Sequence, residues 1–304
     1  MLTQLGNLFK SGQGTQIAGK EVEKIYAISC SQSSMQLSTY INVFHETDRV
    51  SPVEVPYDGY LTYSGCRMVA LNQEESPADV TDEIQKTRNC PVPVLRCVTQ
   101  WDFKDFTGHI NLRRADSDAE GDRFRLYELA GQAHNSFSGA FYRPGYAEID
   151  QIQKTTGLPH TDITALPLEA FMRQALTNLD LWVREGIPAP HAQGLIEVDE
   201  NNIEVLDENN NCKGGFRFPQ LDVPVATYCS GTKKNDQDSC CVYFSEEKLK
   251  KLYPTRRDYI DKIFKAIDVL EEQRFFSVED ADQMKLDILK LPVPCRDHSS
   301  KFEE

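Results

Sequence analysis

The sequence predicts an α/β fold with a mostly parallel sheet, followed by a region of helices and long loops. Two observations predict it. Short apolar or alternating segments typical of strands are separated by stretches with helical periodicity, and this β-α-β order is typical of parallel sheets. After about residue 145, strand-like segments give way to helical ones. We therefore expect a single domain over 1–304, in which 1–145 carries the sheet and 146–304 carries helices and loops.

Composition narrows the function classes. The 304 residues are 40% hydrophobic and 26% charged, as in globular proteins. The net charge of −14 argues against nucleic acid or an anionic membrane as the main partner. No apolar run reaches the roughly 18 residues that a membrane span needs, and no signal peptide is visible. We expect a soluble protein, cytoplasmic by default.

The first predicted strand covers 24–29 and leads directly into a helix. The helix is marked by apolar side chains at positions i, i+3, i+4 and i+7, which are Leu37, Tyr40, Ile41 and Phe44. Further strands are predicted at 59–63, 92–99 and 124–131, with a crossover helix at 79–88.

Three helices are predicted in the second part. The strongest runs from 168 to 183, with Pro167 at its start and Gly186 after its end. Another covers 259–270, and a short one follows Ser277, whose spacing to Asp280 resembles a capping box.

The turn after the first strand is the first candidate for chemistry. It reads Ser29-Cys30-Ser31-Gln32-Ser33, between a strand and a helix, which is the context of a nucleophile elbow. Such a turn needs small neighbours, and this favours Ser31 over Ser29 or Ser33 as the nucleophile. Strand alternation directs Cys30 away from the side of Ser31. The alternative is an ordinary turn in which a serine caps the helix.

Two further candidates follow later strands. Asp102 comes after the third strand and His134 after the fourth, so the order is Ser, Asp, His, as in α/β-hydrolases. Because the carboxyl ends of parallel strands share one edge, these side chains can meet. His134 would accept the Ser31 proton and Asp102 would orient His134. Alternatively, Asp102 caps a helix, Asp105 is the acid, or His134 is structural.

The chain resembles a family of α/β-hydrolase-domain serine esterases. In that family the turn reads Gly-x-Ser-Gln-Ser-Gly and the histidine lies in Ala-Gly-x-Ala-His. Ser31-Gln32-Ser33 and Ala130-Gly131-Gln132-Ala133-His134 match these motifs, and the likeness extends over 182–190 and, most specifically, 214–228. The resemblance implies a partial α/β-hydrolase fold and ester hydrolysis, with Ser31, His134 and Asp102 as its triad.

The chain departs from the family pattern at two points. Ser29 and Ser34 replace the flanking glycines. About 30 residues precede Ser31, so the strands that such hydrolases place before the nucleophile strand are predicted to be missing, with the loop that donates one oxyanion N–H. The Gln32 backbone N–H would remain as a donor. The first strand would become an exposed edge, open to self-association.

The preferred interpretation is a serine hydrolase of small-molecule carboxylic esters. The alternative is a catalytically impaired, truncated α/β-hydrolase that acts as a binding or interaction protein. Trp182, Phe216 and Phe218 are candidates for the lining of the substrate pocket, although aromatic side chains equally build cores. No cofactor is expected, because Gly214-Gly215 lacks the dinucleotide spacing, and no metal, because the histidines lack ligand neighbours.

Overall fold

The computed structural model of the protein describes residues 1–44, 56–65, 67–69, 85–103, 109–134, 166–230 and 240–290. Its main sheet has five strands in the order β1-β2-β3-β5-β4. They are β1 Tyr26–Cys30, β2 Gly59–Tyr63, β3 Val94–Thr99, β4 Ser117–Ala119 and β5 Asp122–Leu129. β1 pairs with β2 and β2 with β3 in parallel, whereas β4 and β5 are antiparallel. The sheet is therefore mostly parallel, as the sequence predicts.

A smaller sheet and a set of helices complete the described secondary structure. The antiparallel strands β6 Ala226–Cys229 and β7 Cys240–Tyr243 form the second sheet. The helices are α1 Leu2–Lys10, α2 Gly12–Ala18, α3 Gln32–Phe44, α4 Leu168–Glu185, α5 Pro219–Asp222, α6 Glu246–Leu252, α7 Arg256–Glu272 and α8 Val278–Lys290. In the described part of the chain, none is long and apolar enough to cross a membrane.

The described residues divide into two compact units. The first comprises Met1–Val98, Asp102–Glu128 and Ala175–Ala192, and the second comprises Thr99–Trp101, Leu129–Gln174 and Gln193–Glu304. In the first unit, α3 packs its apolar side chains against the sheet. This core contains Leu37, Tyr40, Ile41, Tyr57, Tyr60, Cys90, Val94, Val98, Phe124 and Leu126.

The strands predicted from the sequence are confirmed, with ends shifted by one or two residues. β1 begins at Tyr26, because the N–H of Ile25 donates to the Asp58 carboxylate at 2.8 Å. β3 begins at Val94, directly after Pro93, which has no N–H for a ladder.

β5 ends at Leu129, and Gly131 turns the chain with a φ of 73°. Its start at Asp122 is fixed by the hairpin with β4, whose three residues carry no alternating apolar pattern and were not predicted.

β1 lies at one end of the strand order, as expected for an edge strand, and 42% of the Ile28 side chain is exposed. The amino-terminal helices α1 and α2 were not predicted, although the leucines and Phe9 of α1 follow helical spacing. The hydroxyls of Thr3 and Tyr40 hydrogen bond at 2.8 Å, which fastens α1 to α3. Most of the predicted crossover helix at 79–88 lies outside the described residues.

The carboxyl-terminal helices follow their sequence signals. Thr255 and Asp258 form a reciprocal capping box at the start of α7. Ser277 accepts the N–H of Asp280 at 3.0 Å at the start of α8, which confirms the predicted cap.

Candidate active site

Ser31 forms the turn between β1 and α3 with a φ of 57°. Among residues 26–44, all of which are described, Ser31 alone has a positive φ. Its N–H donates to the carbonyl of Tyr63 at 2.9 Å, at the end of β2, and its own carbonyl accepts the N–H of Ser34 at 2.8 Å. A left-handed conformation in a residue other than glycine costs about 1–3 kcal/mol and persists only where its surroundings impose it. The hydrogen bonds of Ser31 to the end of β2 and to the first turn of α3 hold it in this conformation.

The two neighbouring nucleophile candidates have other roles. The Ser33 hydroxyl donates to the Cys30 carbonyl at 2.6 Å, and thus closes the turn. Burial, followed by the negative charge of Asp102, raises the pKa of the Cys30 thiol above its ordinary value. A thiol of raised pKa is a poor nucleophile at neutral pH. Both observations favour Ser31.

Ser29 and Ser34 occupy the positions where the resembling family has glycine. The Ser29 hydroxyl donates to the Ser34 hydroxyl at 3.1 Å, and Ser34 donates in turn to the Tyr63 carbonyl at 3.0 Å. Both serines are buried. Because each hydroxyl finds a partner across the strand-helix junction, the junction accommodates two serines without an unsatisfied buried group.

Asp102 lies in the short 3-10 turn Gln100–Phe103 that follows β3, and it is 1% exposed. Its Oδ1 accepts the Ser64 hydroxyl at 2.8 Å and the Gly65 N–H at 3.3 Å. Gly65 also adjoins the Ser31 turn, since a Cβ placed on it would lie 2.4 Å from the Ser31 carbonyl oxygen. Gly65 therefore contacts both the Asp102 carboxylate and the backbone of Ser31. The rival acid Asp105 lies outside the described residues.

His134 is half-buried and belongs to the second unit. Its ring lies against Trp101, with centroids 4.7 Å apart. The N–H of Trp101 donates to the Gln132 carbonyl at 3.4 Å, and the N–H of Gly131 donates to the Gln100 side chain at 2.8 Å. These bonds fasten the segment after β5 to the segment after β3, within the second unit.

A family model for the alpha/beta hydrolase domain matches residues 1–285. The chain belongs to this alpha/beta hydrolase family. The comparisons with curated proteins and with solved structures found no match. The family membership agrees with the mostly parallel sheet and its helices, and it supports a hydrolase-type fold.

The aromatic side chains predicted to line a pocket are packed among other side chains. Phe216 and Phe218 contact Phe171 in the second unit, with centroids 4.5 Å and 6.2 Å from its ring. Trp182, in the first unit, lies under the Arg125 guanidinium at 4.6 Å. All three are buried. This is the arrangement of core residues, and a role in substrate binding stays a prediction.

A buried cluster around Glu128 was not predicted from the sequence. His109 is 1% exposed, and its Nε2 lies 2.7 Å from Oε1 of Glu128 on β5. Arg113 binds the same carboxylate through two bonds of 2.7 Å. Burial tends to raise the pKa of Glu128, but the bonds from His109 and Arg113 outweigh it and lower that pKa. The signal was a glutamate in the middle of the strand predicted at 124–131.

Proposed function

We propose that this alpha/beta hydrolase is a serine hydrolase of carboxylic esters. Ser31 is the nucleophile, His134 the general base and then acid, and Asp102 the carboxylate that orients His134. The observation that carries the proposal is the left-handed conformation of Ser31 in a turn between a sheet strand and a helix. This is the geometry by which a nucleophile elbow presents its hydroxyl at the end of a sheet.

The positions of Asp102 and His134 support their roles in the proposed triad. The Asp102 carboxylate is buried and bonded to Gly65, which contacts the Ser31 turn. His134 packs on Trp101, which directly precedes Asp102 in the chain. In the proposed triad, the carboxylate holds the histidine in the tautomer that accepts a serine proton.

The proposed reaction proceeds in two displacements. The Ser31 Oγ bonds to the acyl carbon while its proton passes to His134. The tetrahedral intermediate collapses, the bond to the alcohol oxygen breaks, and His134 returns the proton to that oxygen. Water then attacks the acyl-serine ester and gives a proton to His134. The acid leaves, and the Ser31 oxygen recovers its proton from His134.

The negatively charged oxygen of the tetrahedral intermediate is stabilised by hydrogen-bond donors. Gln32 is the first residue of α3, and the first N–H groups of a helix have no acceptor within it. The residue after the nucleophile supplies one oxyanion donor in alpha/beta hydrolases. We assign this role to the Gln32 N–H, whose contribution of one donor is worth about 10²–10³ in rate.

A fluorophosphonate probe tests the proposal. The wild-type protein is expected to be labelled on Ser31, while Ser31→Ala loses labelling and His134→Ala slows it by about 10³-fold or more, as for a lost triad base. Tandem mass spectrometry is needed to place the adduct, because several serines share this part of the chain. Undiminished labelling of Ser31→Ala would overturn the assignment.

Ser33→Ala is the matched control. Ser33 is an exposed serine two residues away, and its hydroxyl is committed to the Cys30 carbonyl. We expect it to be labelled at close to the wild-type rate. An adduct that disappears in Ser33→Ala and persists in Ser31→Ala would identify Ser33 as the nucleophile.

We also propose that the chain self-associates through β1. A row of strand N–H and C=O groups at a sheet edge can pair with a second copy. Among the strands that the structure describes, β1 lies at an edge with Ile28 exposed. A cavity of about 330 Å³ beside it is lined mainly by apolar side chains of α1, β1 and α3. Antiparallel pairing centred on Ile28 would place this residue opposite its own copy.

Light scattering over a range of protein concentrations tests the pairing. We expect a dimer that Ile28→Lys converts to a monomer, because pairing would oppose two lysines. Ile203→Lys replaces an isoleucine that is 59% exposed elsewhere, and it should leave the dimer intact. A wild-type monomer at every concentration would contradict this proposal.

A further inference from the structure

We infer that Ser64 is a positioning residue that holds the Asp102 carboxylate in the orientation in which it would bind His134. This inference rests on the proposed function, because it assigns to Ser64 a role in the regulation of proton transfer at the same site. The alternative is that Ser64 only completes the fold of the turn after β2.

Ser64 is fixed in place by its backbone. It follows β2 directly, and its N–H donates to the Cys97 carbonyl on β3 at 2.9 Å. The residue is 2% exposed. Its hydroxyl donates to Oδ1 of Asp102 at 2.8 Å. The hydroxyl is the donor in this bond, so its proton points at Asp102.

The next residue strengthens the same contact. The N–H of Gly65 reaches Oδ1 of Asp102 at 3.3 Å, so two donors from consecutive residues share one carboxylate oxygen. Two donors on one oxygen restrict the rotation of the carboxylate, which is what a residue that orients the histidine requires.

The backbone of Ser64 is in a strained conformation, and the hydrogen bond of its hydroxyl explains why a serine occupies this position. Ser64 has a φ of 51° and Gly65 a φ of 76°, so two successive residues are left-handed. Glycine would adopt this conformation at Ser64 without the cost that a side chain brings. A serine there is explained by its hydrogen bond to Asp102, which a glycine could not make.

The expected effect of this bond follows from the role proposed for Asp102. If Asp102 orients His134, loss of the Ser64 donor leaves the histidine less well oriented and slows proton transfer from Ser31. Once His134 is absent, the loss has no further effect on this step.

Fluorophosphonate labelling rates test the inference. We compare wild type, Ser64→Ala, Ser64→Gly and the control Ser11→Ala, which changes an exposed serine between α1 and α2, each with its melting temperature. Both Ser64 variants are expected to label about tenfold more slowly, the effect of one lost bond to a charged group, while the control is unchanged. The slowing should disappear when the Ser64 substitutions are made in a His134→Ala background, because Asp102 would act only through His134.

The glycine variant separates the hydroxyl from the backbone. It relieves the strain, so it stays folded even where Ser64→Ala is destabilised, and it lacks the hydroxyl just as alanine does. A wild-type rate in Ser64→Gly would overturn the inference. Equal slowing with and without His134 would also overturn it, because that result indicates only a disturbed fold of the turn. If wild-type Ser31 is not labelled at all, the proposed function fails and the inference falls with it.

Discussion

Two buried polar regions of the first unit are built in opposite ways. The Ser31 turn is held by hydroxyls and backbone groups, with Ser29, Ser34 and the Tyr63 carbonyl in one chain of hydrogen bonds. Beside β5, the Glu128 carboxylate binds the guanidinium of Arg113 and the ring of His109. Small neutral groups let a strand, a turn and a helix approach closely, whereas long charged side chains join segments that stay further apart.

The difference predicts unequal costs of substitution. A buried charge that loses its partner is costly, because the remaining charge stays out of water without compensation. A hydroxyl hydrogen bond contributes a smaller net amount, near 1 kcal/mol. The β5 cluster should therefore dominate stability, and the Ser31 turn should dominate activity.

The largest expected effect is that of Glu128→Ala. It removes the acceptor shared by Arg113 and His109, and we expect the free energy of unfolding to fall by about 3–5 kcal/mol. Urea denaturation measures it. Glu23→Ala, which breaks an exposed pair with Arg184, is the control and should have little effect. Equal losses in the two variants would remove the contrast between the two regions.

Gly65→Ala is expected to have the next largest effect. The new Cβ would meet the Ser31 carbonyl oxygen and would force a left-handed alanine, at a cost of about 1–3 kcal/mol together with slower fluorophosphonate labelling. Gly186→Ala is the matched control, because Gly186 has a φ of 70° with nothing within 4 Å of the added Cβ. Similar stability and labelling in both variants would show that the contact with Ser31 is unimportant.

A double-mutant cycle tests the hydroxyl chain. Ser29→Ala and Ser34→Ala should each cost about 1 kcal/mol, and the double variant should cost less than their sum by roughly 0.5 kcal/mol or more, since both remove the same bond. Equilibrium unfolding of the four proteins supplies the coupling energy. Additive losses would mean that the two serines do not depend on each other.

The smallest expected effect is a change in how steeply the free energy of unfolding varies with pH. The folded protein lowers the pKa of Glu128, so this group stabilises the fold above its unfolded value of about 4.3 and stops doing so as pH falls through the folded value. Glu128→Gln lacks this contribution, and its unfolding free energy should fall less steeply between pH 5 and 3. The exposed Glu247→Gln should keep the wild-type slope, and a wild-type slope in Glu128→Gln would contradict the prediction.

Much of the fold and part of the candidate site could be predicted from the sequence. Apolar periodicity located four of the main strands and the helix after Ser31, since these segments bury the faces that their spacing marks. The register of the turn was also predictable, because small residues at 29, 31, 33 and 34 left few alternatives. The match of Ala130-Gly131-Gln132-Ala133-His134 to a family motif pointed to His134.

The rest depended on contacts between residues far apart in the chain. The Glu128 cluster joins positions 15 to 19 residues apart, and Ser64 meets Asp102 across 38 positions. Neither pair has a spacing that a local pattern could reveal. β4 was missed because its pairing with β5, and no apolar alternation, makes it a strand.

By itself, the sequence determined the α/β class, the order of the candidate residues and the turn in which Ser31 lies, because periodicity and turn chemistry are local properties. Only the tertiary structure decided that Ser29 and Ser34 satisfy each other where glycines were expected, and that Ser64 and Gly65 hold Asp102 beside the Ser31 turn. Hydrogen bonds between distant segments form only when the strands are assembled in register, and that register is a property of the whole sheet.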